Sequence, residues 1–252
     1  MRNNLAEEFY KFYHQKTFFY GILTLLFLMF YGGITSNVNQ ATIAFGFGAI
    51  QWIPIIIIAI GSSFFEMEYR NNTILMLLYK NSSKLKIYIA KFLTIFLYGV
   101  FLTIVAALFT IILKLILTGD QYHWLADFNK NGSLLTTFML NMAGTLIYSF
   151  FVEALSFMLI MLIKVNTAVI GIGLAIGFFG ASISVALTKT FTTLIGVVKW
   201  NPLNMIFVTQ QLSNASYINL SQLDNLQIIG GTILYGLIFA FLGYGLFKRR
   251  RI

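Results

Sequence analysis

Long apolar runs alternate with short polar segments along the chain. Six of these runs are long enough to cross roughly 30 Å of hydrocarbon as helices. Helices are the expected form because a backbone in lipid must satisfy its own hydrogen bonds. The third and fourth runs exceed what a bilayer requires and should tilt or project beyond it. The predicted spans are residues 17–34, 43–65, 87–117, 134–163, 168–187 and 228–247.

The composition agrees with this pattern. The chain has 252 residues, of which 58% are hydrophobic and only 10% are charged, whereas a soluble domain has about 25% charged residues. A soluble fold of this size could not bury so much apolar surface. We therefore predict an all-α polytopic membrane protein with six transmembrane helices in a single transmembrane domain, 1–252.

The distribution of Lys and Arg predicts the orientation. Thirteen of the 17 Lys and Arg residues fall on the side of the membrane that holds both termini. The positive-inside rule places that side in the cytoplasm. The net charge of +9 then reflects basic cytoplasmic loops, and no nucleic acid partner is expected. The basic residues on the other side are Lys114, Lys130, Lys189 and Lys199.

Residues 1–16 have the pattern of an amphipathic helix. Apolar side chains recur there at helical spacing, and charged side chains occupy the rest of the helical wheel. This pattern is typical of a helix that lies in the cytoplasmic membrane interface, in contact with lipid. The alternative is a polar tail before the first span. The apolar set is Leu5, Phe9, Phe12 and Tyr13, and the charged set is Glu7, Glu8 and Lys11.

A polar loop, 66–86, separates spans two and three. Asn71, Asn72 and Thr73 are good helix N-caps, and the apolar run 74–79 that follows is too short to span. Exposed apolar side chains are unfavourable in water and become more stable in a groove on a partner. The loop is therefore predicted to contain a short cytoplasmic helix at 72–79 that docks on another protein.

The loops predicted on the outside are 118–133 and 188–227. The second is too apolar for a solvated linker, so we predict short re-entrant helices that dip into the outer leaflet and break at Pro202. Trp200 suits the membrane interface, and both residues are assigned to an outer lid. The alternative is a seventh span, which would place the basic C-terminus outside, against the positive-inside rule.

No catalytic motif is present. The chain lacks a Gly-x-x-x-x-Gly-Lys-[Ser/Thr] phosphate loop and a His-Glu-x-x-His zinc motif, and it has no cysteine and only two histidines. We expect that it is not an enzyme, holds no metal and binds no cofactor of its own.

Glu153 is an ionisable residue inside span four, about 16 Å from the end of the span at Lys164. Such a group is costly in a membrane unless it is paired or wetted. One interpretation places Glu153 on a substrate path or in proton coupling. The other is a protonated glutamate bonded to a neighbouring helix. In span five, Gly173 and Gly177 allow close helix packing.

The loop between spans two and three resembles the coupling segment of permease subunits of bacterial ATP-binding-cassette (ABC) exporters of the second type. That family includes drug, bacteriocin-immunity and peptide-toxin exporters. The similarity rests on the topology of the whole chain and on the family pattern Glu…Gly-Thr…Leu-Leu…Ser-Arg…Lys. Asn72 replaces the usual Gly, and Asn tolerates a left-handed backbone. The matching residues are Phe65-Glu66, Asn72-Thr73, Leu77-Leu78, Ser83-Lys84 and Lys91.

The resemblance implies a multi-pass half-transporter in a bacterial plasma membrane. Two permeases, identical or merely similar, would sit on two copies of a separate ABC ATPase, which binds ATP and Mg²⁺. The cargo expected from 26 Phe and 13 Tyr residues is hydrophobic or amphipathic. The residues expected to couple to the ATPase are Glu66, Arg70, Thr73, Leu75, Leu78, Tyr79 and Lys80.

Two other functions remain open. A secondary transporter would need polar groups at the midplane and often an internal repeat; Glu153 is such a group, but no repeat is evident. A non-transporting bacteriocin-immunity protein in the membrane is the second alternative.

Overall fold

The computed structural model describes residues 2–35, 37–71, 83–129 and 132–249. Within these ranges, six helices are long and apolar enough to cross a membrane, which agrees with the predicted number of spans. In chain order the helices are α1 (Arg2–Tyr13), α2 (Lys16–Thr35), α3 (Gln40–Ala44), α4 (Ala49–Arg70), α5 (Lys84–Thr118), α6 (Leu134–Ile163), α7 (Asn166–Thr190), α8 (Ile195–Val198), α9 (Val208–Gln211), α10 (Ile218–Ser221) and α11 (Asn225–Arg249). The six long apolar helices are α2, α4, α5, α6, α7 and α11.

Helices α4 and α6 form the centre of the bundle. In the most apolar stretch of each, 72% and 61% of the residues are buried, against 22–33% in the other four spans. The outer helices therefore present apolar side chains outwards, as expected of surfaces that meet lipid or another membrane protein. Large exposed side chains on these helices include Phe27, Leu115, Phe179 and Phe241.

Span two differs from the prediction at both ends. It was expected over 43–65, but a turn at Gly46–Gly48 separates α3 from α4, and α4 continues to Arg70. The φ angles of Gly46, Phe47 and Gly48 are 56°, 50° and 90°. Glycine adopts this left-handed region readily, whereas Phe47 is strained there. Phe47 is buried and its ring packs where Gly33 leaves space, so tertiary packing holds the turn.

Polar side chains inside the bundle satisfy their hydrogen bonds mostly with helix carbonyls. The hydroxyl of Ser156 on α6 donates to the carbonyl of Ile58 on α4 over 2.9 Å, which ties the two central helices together. Several other hydroxyls donate to the carbonyl four residues earlier in their own helix, the usual arrangement for Ser and Thr in membrane helices. They include Thr94, Thr103, Thr110, Thr145 and Thr232.

The loop between α7 and α11 is folded into short helices, as the sequence predicted. Besides α8, α9 and α10 it contains 3₁₀ helices at Thr192–Leu194, Pro202–Phe207 and Ala215–Tyr217. The chain breaks where Pro202 was expected to break it, since α8 ends at Val198 and the next helix begins at Pro202. The side chain of Asn201 caps that helix by accepting from the amide of Asn204 over 3.0 Å.

Buried amides fasten this outer loop to the bundle. Asn204 is fully buried and donates to the carbonyls of Lys199 and Ser221 over 2.6 and 2.7 Å. Its side-chain oxygen accepts from Ser184 of α7 over 2.9 Å. Farther along, the hydroxyl of Ser213 donates to Asn141 of α6 over 2.6 Å. Hydrogen bonds to α6 and α7 therefore anchor the loop to the bundle.

The loop between α5 and α6 adds a small β element to the predicted all-α fold. Strands β1 (Asp127–Asn129) and β2 (Gly132–Ser133) pair in an antiparallel ladder. The side chain of Ser133 then caps α6 by accepting from the amide of Thr136 over 3.3 Å. The hairpin thus places the start of span four.

Candidate functional site

Four charged side chains from three helices meet in one buried group, called here the charge cluster: Glu8 and Lys11 of α1, Glu68 of α4 and Lys91 of α5. The ammonium of Lys91 lies 2.7 Å from Oε2 of Glu8 and 3.0 Å from Oε1 of Glu68. Lys91, Glu8 and Glu68 are 0%, 3% and 2% exposed. One lysine therefore bridges the carboxylates of two other helices.

Lys11 completes the cluster from the surface. Its ammonium lies 3.2 Å from Glu8 and 3.6 Å from Glu68, and its side chain is 38% exposed. Two carboxylates and two ammonium groups make the cluster neutral. Removing an ion from water costs several kcal/mol, and this pairing offsets that cost. Lys11 alone of the four reaches solvent.

Aromatic rings enclose the cluster. The ammonium of Lys91 lies 4.0 Å from the ring centroid of Phe64, within the range of a cation–π interaction. The ring of Phe12 packs 5.2 Å from Phe64 and 4.9 Å from Tyr98. Because these rings keep water away, the ion pairs lie in a medium of low dielectric constant and are correspondingly strong.

Helical periodicity explains why the charged side chains and the aromatic rings lie next to each other. On each of the three helices, a charged residue of the cluster and an aromatic residue of its wall are four or seven positions apart, a spacing that puts both on one helix face. The pairs are Glu8 with Phe12, Phe64 with Glu68, and Lys91 with Tyr98.

The structure corrects the predicted orientation of α1. The helix itself forms, but Glu8, which was assigned to its polar face, points into the protein, and Phe12 is buried beside it. Phe9 and Tyr13, assigned to the same apolar face as Phe12, are exposed. The reason is tertiary: Lys91 supplies a buried countercharge, so the face carrying Glu8 packs inwards.

The charge cluster flanks the predicted coupling loop on both sides. Glu68 lies two residues before the end of α4, and Lys91 lies in the second turn of α5. The helix predicted at 72–79 lies outside the described residues, and so do Thr73, Leu75, Leu78, Tyr79 and Lys80. The two remaining predicted coupling residues, Glu66 and Arg70, belong to the last turns of α4, and Arg70 is exposed.

Glu8 and Glu68 were not predicted from the sequence as site residues. A signal was available in Lys91, because a lysine inside the apolar run of span three requires a buried partner. It had been counted with the basic loop residues instead. Which carboxylates would pair with it could not be read from the sequence, because Glu8 is 83 positions away.

Glu153 lies in the core of α6 and is completely buried. Among the described residues, neither of its carboxyl oxygens has a hydrogen-bond partner, and the same holds for the hydroxyls of Tyr88 and Ser149. Tyr88 of α5 is close enough to interact electrostatically with Glu153. A bond from a protonated Glu153 to a neighbouring helix and a role in a substrate path therefore both stay predictions.

A half-open cavity of about 250 Å³ lies between α4, α7 and the outer loop. None of its lining residues carries a formal charge. Burial raises the pKa of the Tyr217 phenol in its wall, so this side chain stays neutral. Glu153 is not among the lining residues. Those residues are Ile50, Gln51, Pro54, Tyr148, Gly177, Phe178, Ala181, Ile206, Phe207, Thr209, Gln210 and Tyr217.

Of the two predicted lid residues, Trp200 lies beside α11 and Pro202 begins the 3₁₀ helix that follows it. The carbonyl of Trp200 accepts a hydrogen bond of 2.5 Å from the hydroxyl of Tyr235, and its ring packs where Gly231 leaves space. The contacts of Trp200 thus attach the loop to the last span. The predicted lid role stays a prediction.

Comparison with known proteins identifies the class. The family model of the ABC-2 family transporter protein matches residues 4–180, and the chain belongs to this family. No curated protein matches the sequence at a significant level. The chain is thus the multi-pass permease component of an ABC transporter, which is not itself catalytic. Membership of the family implies an ABC ATPase as partner.

The matched region contains α1, α4 and α5, and therefore every member of the charge cluster. It ends at residue 180, within α7 and before the outer loop and α11, whereas the sequence resemblance had been drawn over the whole chain.

Proposed function

We propose that this protein is the permease half of a bacterial ABC exporter that moves hydrophobic or amphipathic cargo out of the cell. Family membership supports a permease. The observation that carries the coupling role is the charge cluster, because it joins α1 to the two spans from which segment 72–82 emerges. A partner that binds the segment would thus act on three helices.

The ATPase is proposed to act through this segment. Two ATPase subunits, holding ATP and Mg²⁺, would close on nucleotide binding and displace the helix predicted at 72–79. Glu68 lies four residues before that helix and Lys91 twelve after it. Rigid helices transmit small displacements at their ends into rotations of packed neighbours. The movement would enter α4 and α5 and reach α1 through Glu8.

A second permease, identical or similar, is proposed to complete the path. Helices α2, α7 and α11 leave most of their apolar surface uncovered, enough to supply both a lipid face and a permease contact. The cargo cavity would lie between the two permeases and would change its accessibility when the ATPase subunits close.

The character of the cargo is inferred from the cavity beside the outer loop. Its wall combines aromatic and aliphatic side chains with the amides of Gln51 and Gln210 and the hydroxyls of Thr209 and Tyr217. Such a surface suits ligands with apolar area and a few hydrogen-bonding groups. Antimicrobial peptides, toxin peptides and drugs fit this description, and their export would give resistance or self-immunity.

In the proposed orientation both termini and the charge cluster face the cytoplasm, and the cavity faces outwards. The outer loop would then cover the exit, with Trp200 near the headgroups and the segment around Pro202 across the opening. The bacterial plasma membrane is the proposed location, with membrane lipid around the apolar faces.

Copurification tests the proposal. The full-length chain would be tagged at its C-terminus, extracted in mild detergent and assayed for vanadate-sensitive ATP hydrolysis. We expect hydrolysis with the wild type and its loss with Leu78→Asp, because a charge on the docking face opposes burial. Leu115→Asp, on an exposed face of α5 far from the loop, controls for a new charge in an apolar surface.

The other two functional classes give different results in the same experiment. Export that depends on a proton gradient, with no copurified ATP hydrolysis, would identify a secondary transporter. The absence of both ATP hydrolysis and export would identify an immunity protein that binds its toxin in the membrane.

A further inference from the structure

Two kinds of contact between described residues hold α1 against the bundle. One is the ring of Phe12, which packs on Phe18, Phe64 and Tyr98 at centroid distances of 4.9–5.6 Å. The other is the charge cluster. Apolar contact is nondirectional, so the ring alone permits α1 to slide or rotate on the surface. The ion pairs are directional, because each requires a carboxylate oxygen at a fixed position around one ammonium group.

We propose that Lys91 is a positioning residue that fixes α1 to α4 and α5, so that the ends of the three helices move as one unit. Glu8 and Glu68 approach its ammonium group from different helices, at 2.7 and 3.0 Å. Both ion pairs therefore depend on how the helices lie relative to one another. If α1 moved away, Glu8 would keep Lys11 of its own helix, but Lys91 would lose the shorter of its two ion pairs inside the bundle. Breaking a buried ion pair is strongly unfavourable, so Lys91 holds α1 in one position on α4 and α5.

Lys11 cannot replace Lys91 in this role. It shares helix α1 with Glu8, three residues apart, so its bond to Glu8 moves with that helix. Its contact with α4 is the longest in the cluster, 3.6 Å to Glu68, and its side chain is partly solvated. The link between helices depends mainly on Lys91.

The test removes the buried charges of the cluster with side chains matched in size. The triple variant Glu8→Gln, Glu68→Gln and Lys91→Met leaves only the charge of Lys11 in the cluster, and Lys11 is partly solvated. Replacing buried ionic groups together is often neutral for stability. Lys114→Met is the control, because Lys114 is also a buried lysine of α5 but lies near Trp124, remote from α1.

The first readout is the position of α1 in the full-length protein in lipid nanodiscs. The chain has no cysteine, so spin labels at Tyr10→Cys and Leu85→Cys, both exposed positions, report a single distance between α1 and α5. We expect a narrow distance distribution in the wild type and in Lys114→Met, and a broad or shifted one in the triple variant. An unchanged distribution in a folded triple variant would overturn the proposal.

The second readout rests on the proposed function. In the complex purified with its ATPase, we expect the triple variant to retain the ATPase. Its rate of cargo-dependent or vanadate-sensitive ATP hydrolysis should fall about 5- to 150-fold, the factor that corresponds to the usual coupling free energy between two sites. Hydrolysis at the wild-type rate would show that the positioned helix is not part of the coupling. Failure of the wild type to recover an ATPase would count against the proposed function and leave the spin-label result standing.

Discussion

The ammonium of Lys91 lies 2.7 Å from the carboxylate of Glu8, a residue 83 positions earlier in the chain. This pair connects the N-terminal helix to the beginning of span three at a point where both are shielded from water. The same ammonium contacts Glu68, so the pair also reaches the end of span two. Both ends of the segment expected to contact the ATPase are thereby linked to α1.

The first prediction concerns the stability of the charge cluster. Lys91→Met should lower the free energy of unfolding by about 3–5 kcal/mol, because it removes the buried ammonium group that pairs with both Glu8 and Glu68. Adding Glu8→Gln and Glu68→Gln should restore most of the loss. Thermal unfolding in detergent measures both effects. Lys11→Met should cost no more than about 1 kcal/mol, since this lysine is partly solvated. Equal losses for the two lysines would contradict this account.

The second prediction concerns the contact between α6 and the outer loop. A Cβ atom at Gly144 would overlap the carbonyl oxygen of Val208, and a backbone atom cannot yield as a flexible side chain can. Gly144→Ala should therefore destabilise the protein by about 1–3 kcal/mol or more. The matched control is Gly171→Ala, where the added atom meets nothing within 4 Å. It should be neutral or slightly stabilising, because Ala favours a helix over Gly. Thermal unfolding again decides, and equal behaviour of the two variants would refute the proposed close contact.

The third prediction concerns Glu153. Its carboxyl oxygens have no hydrogen-bond partner among the described residues, so exchanging the group for an apolar one of similar size removes unsatisfied polar atoms. Glu153→Leu should unfold at or above the wild-type temperature. If Glu153 serves the substrate path, Glu153→Gln and Glu153→Leu should both reduce efflux of a hydrophobic fluorescent dye from cells. Wild-type efflux in both variants would remove Glu153 from the path.

The fourth prediction concerns the outer loop and uses cysteine scanning with an impermeant thiol reagent. Phe191, Leu194 and Val197 are exposed on the isolated chain, so they should react slowly only if lipid or a second permease covers them, as proposed. Ala215 and Ser216 should react readily. Ser213, two positions before Ala215, is buried against Asn141 and should be protected. Rapid labelling throughout 191–198 would show a solvated loop and exclude the lid.

The local pattern of apolar and polar residues was enough to predict the helices of this protein. Apolar length determines a spanning helix, and the six predicted runs correspond to the six long helices. The same reasoning located α1 and the short helices of the outer loop, because the spacing of apolar residues and the position of Pro202 act within a few residues. The family could also be predicted from the sequence, because the motif residues around the coupling loop lie close together in the chain.

Tertiary structure alone decided which faces meet. The sequence of α1 is compatible with either face inwards, and a countercharge on Lys91, 83 positions away, selects the face with Glu8. The left-handed turn at Phe47 likewise depends on packing against α2, which no local propensity encodes. Secondary structure in a membrane follows from each segment's own hydrophobicity and hydrogen bonds, whereas a buried ion pair exists only when distant helices bring both charges together.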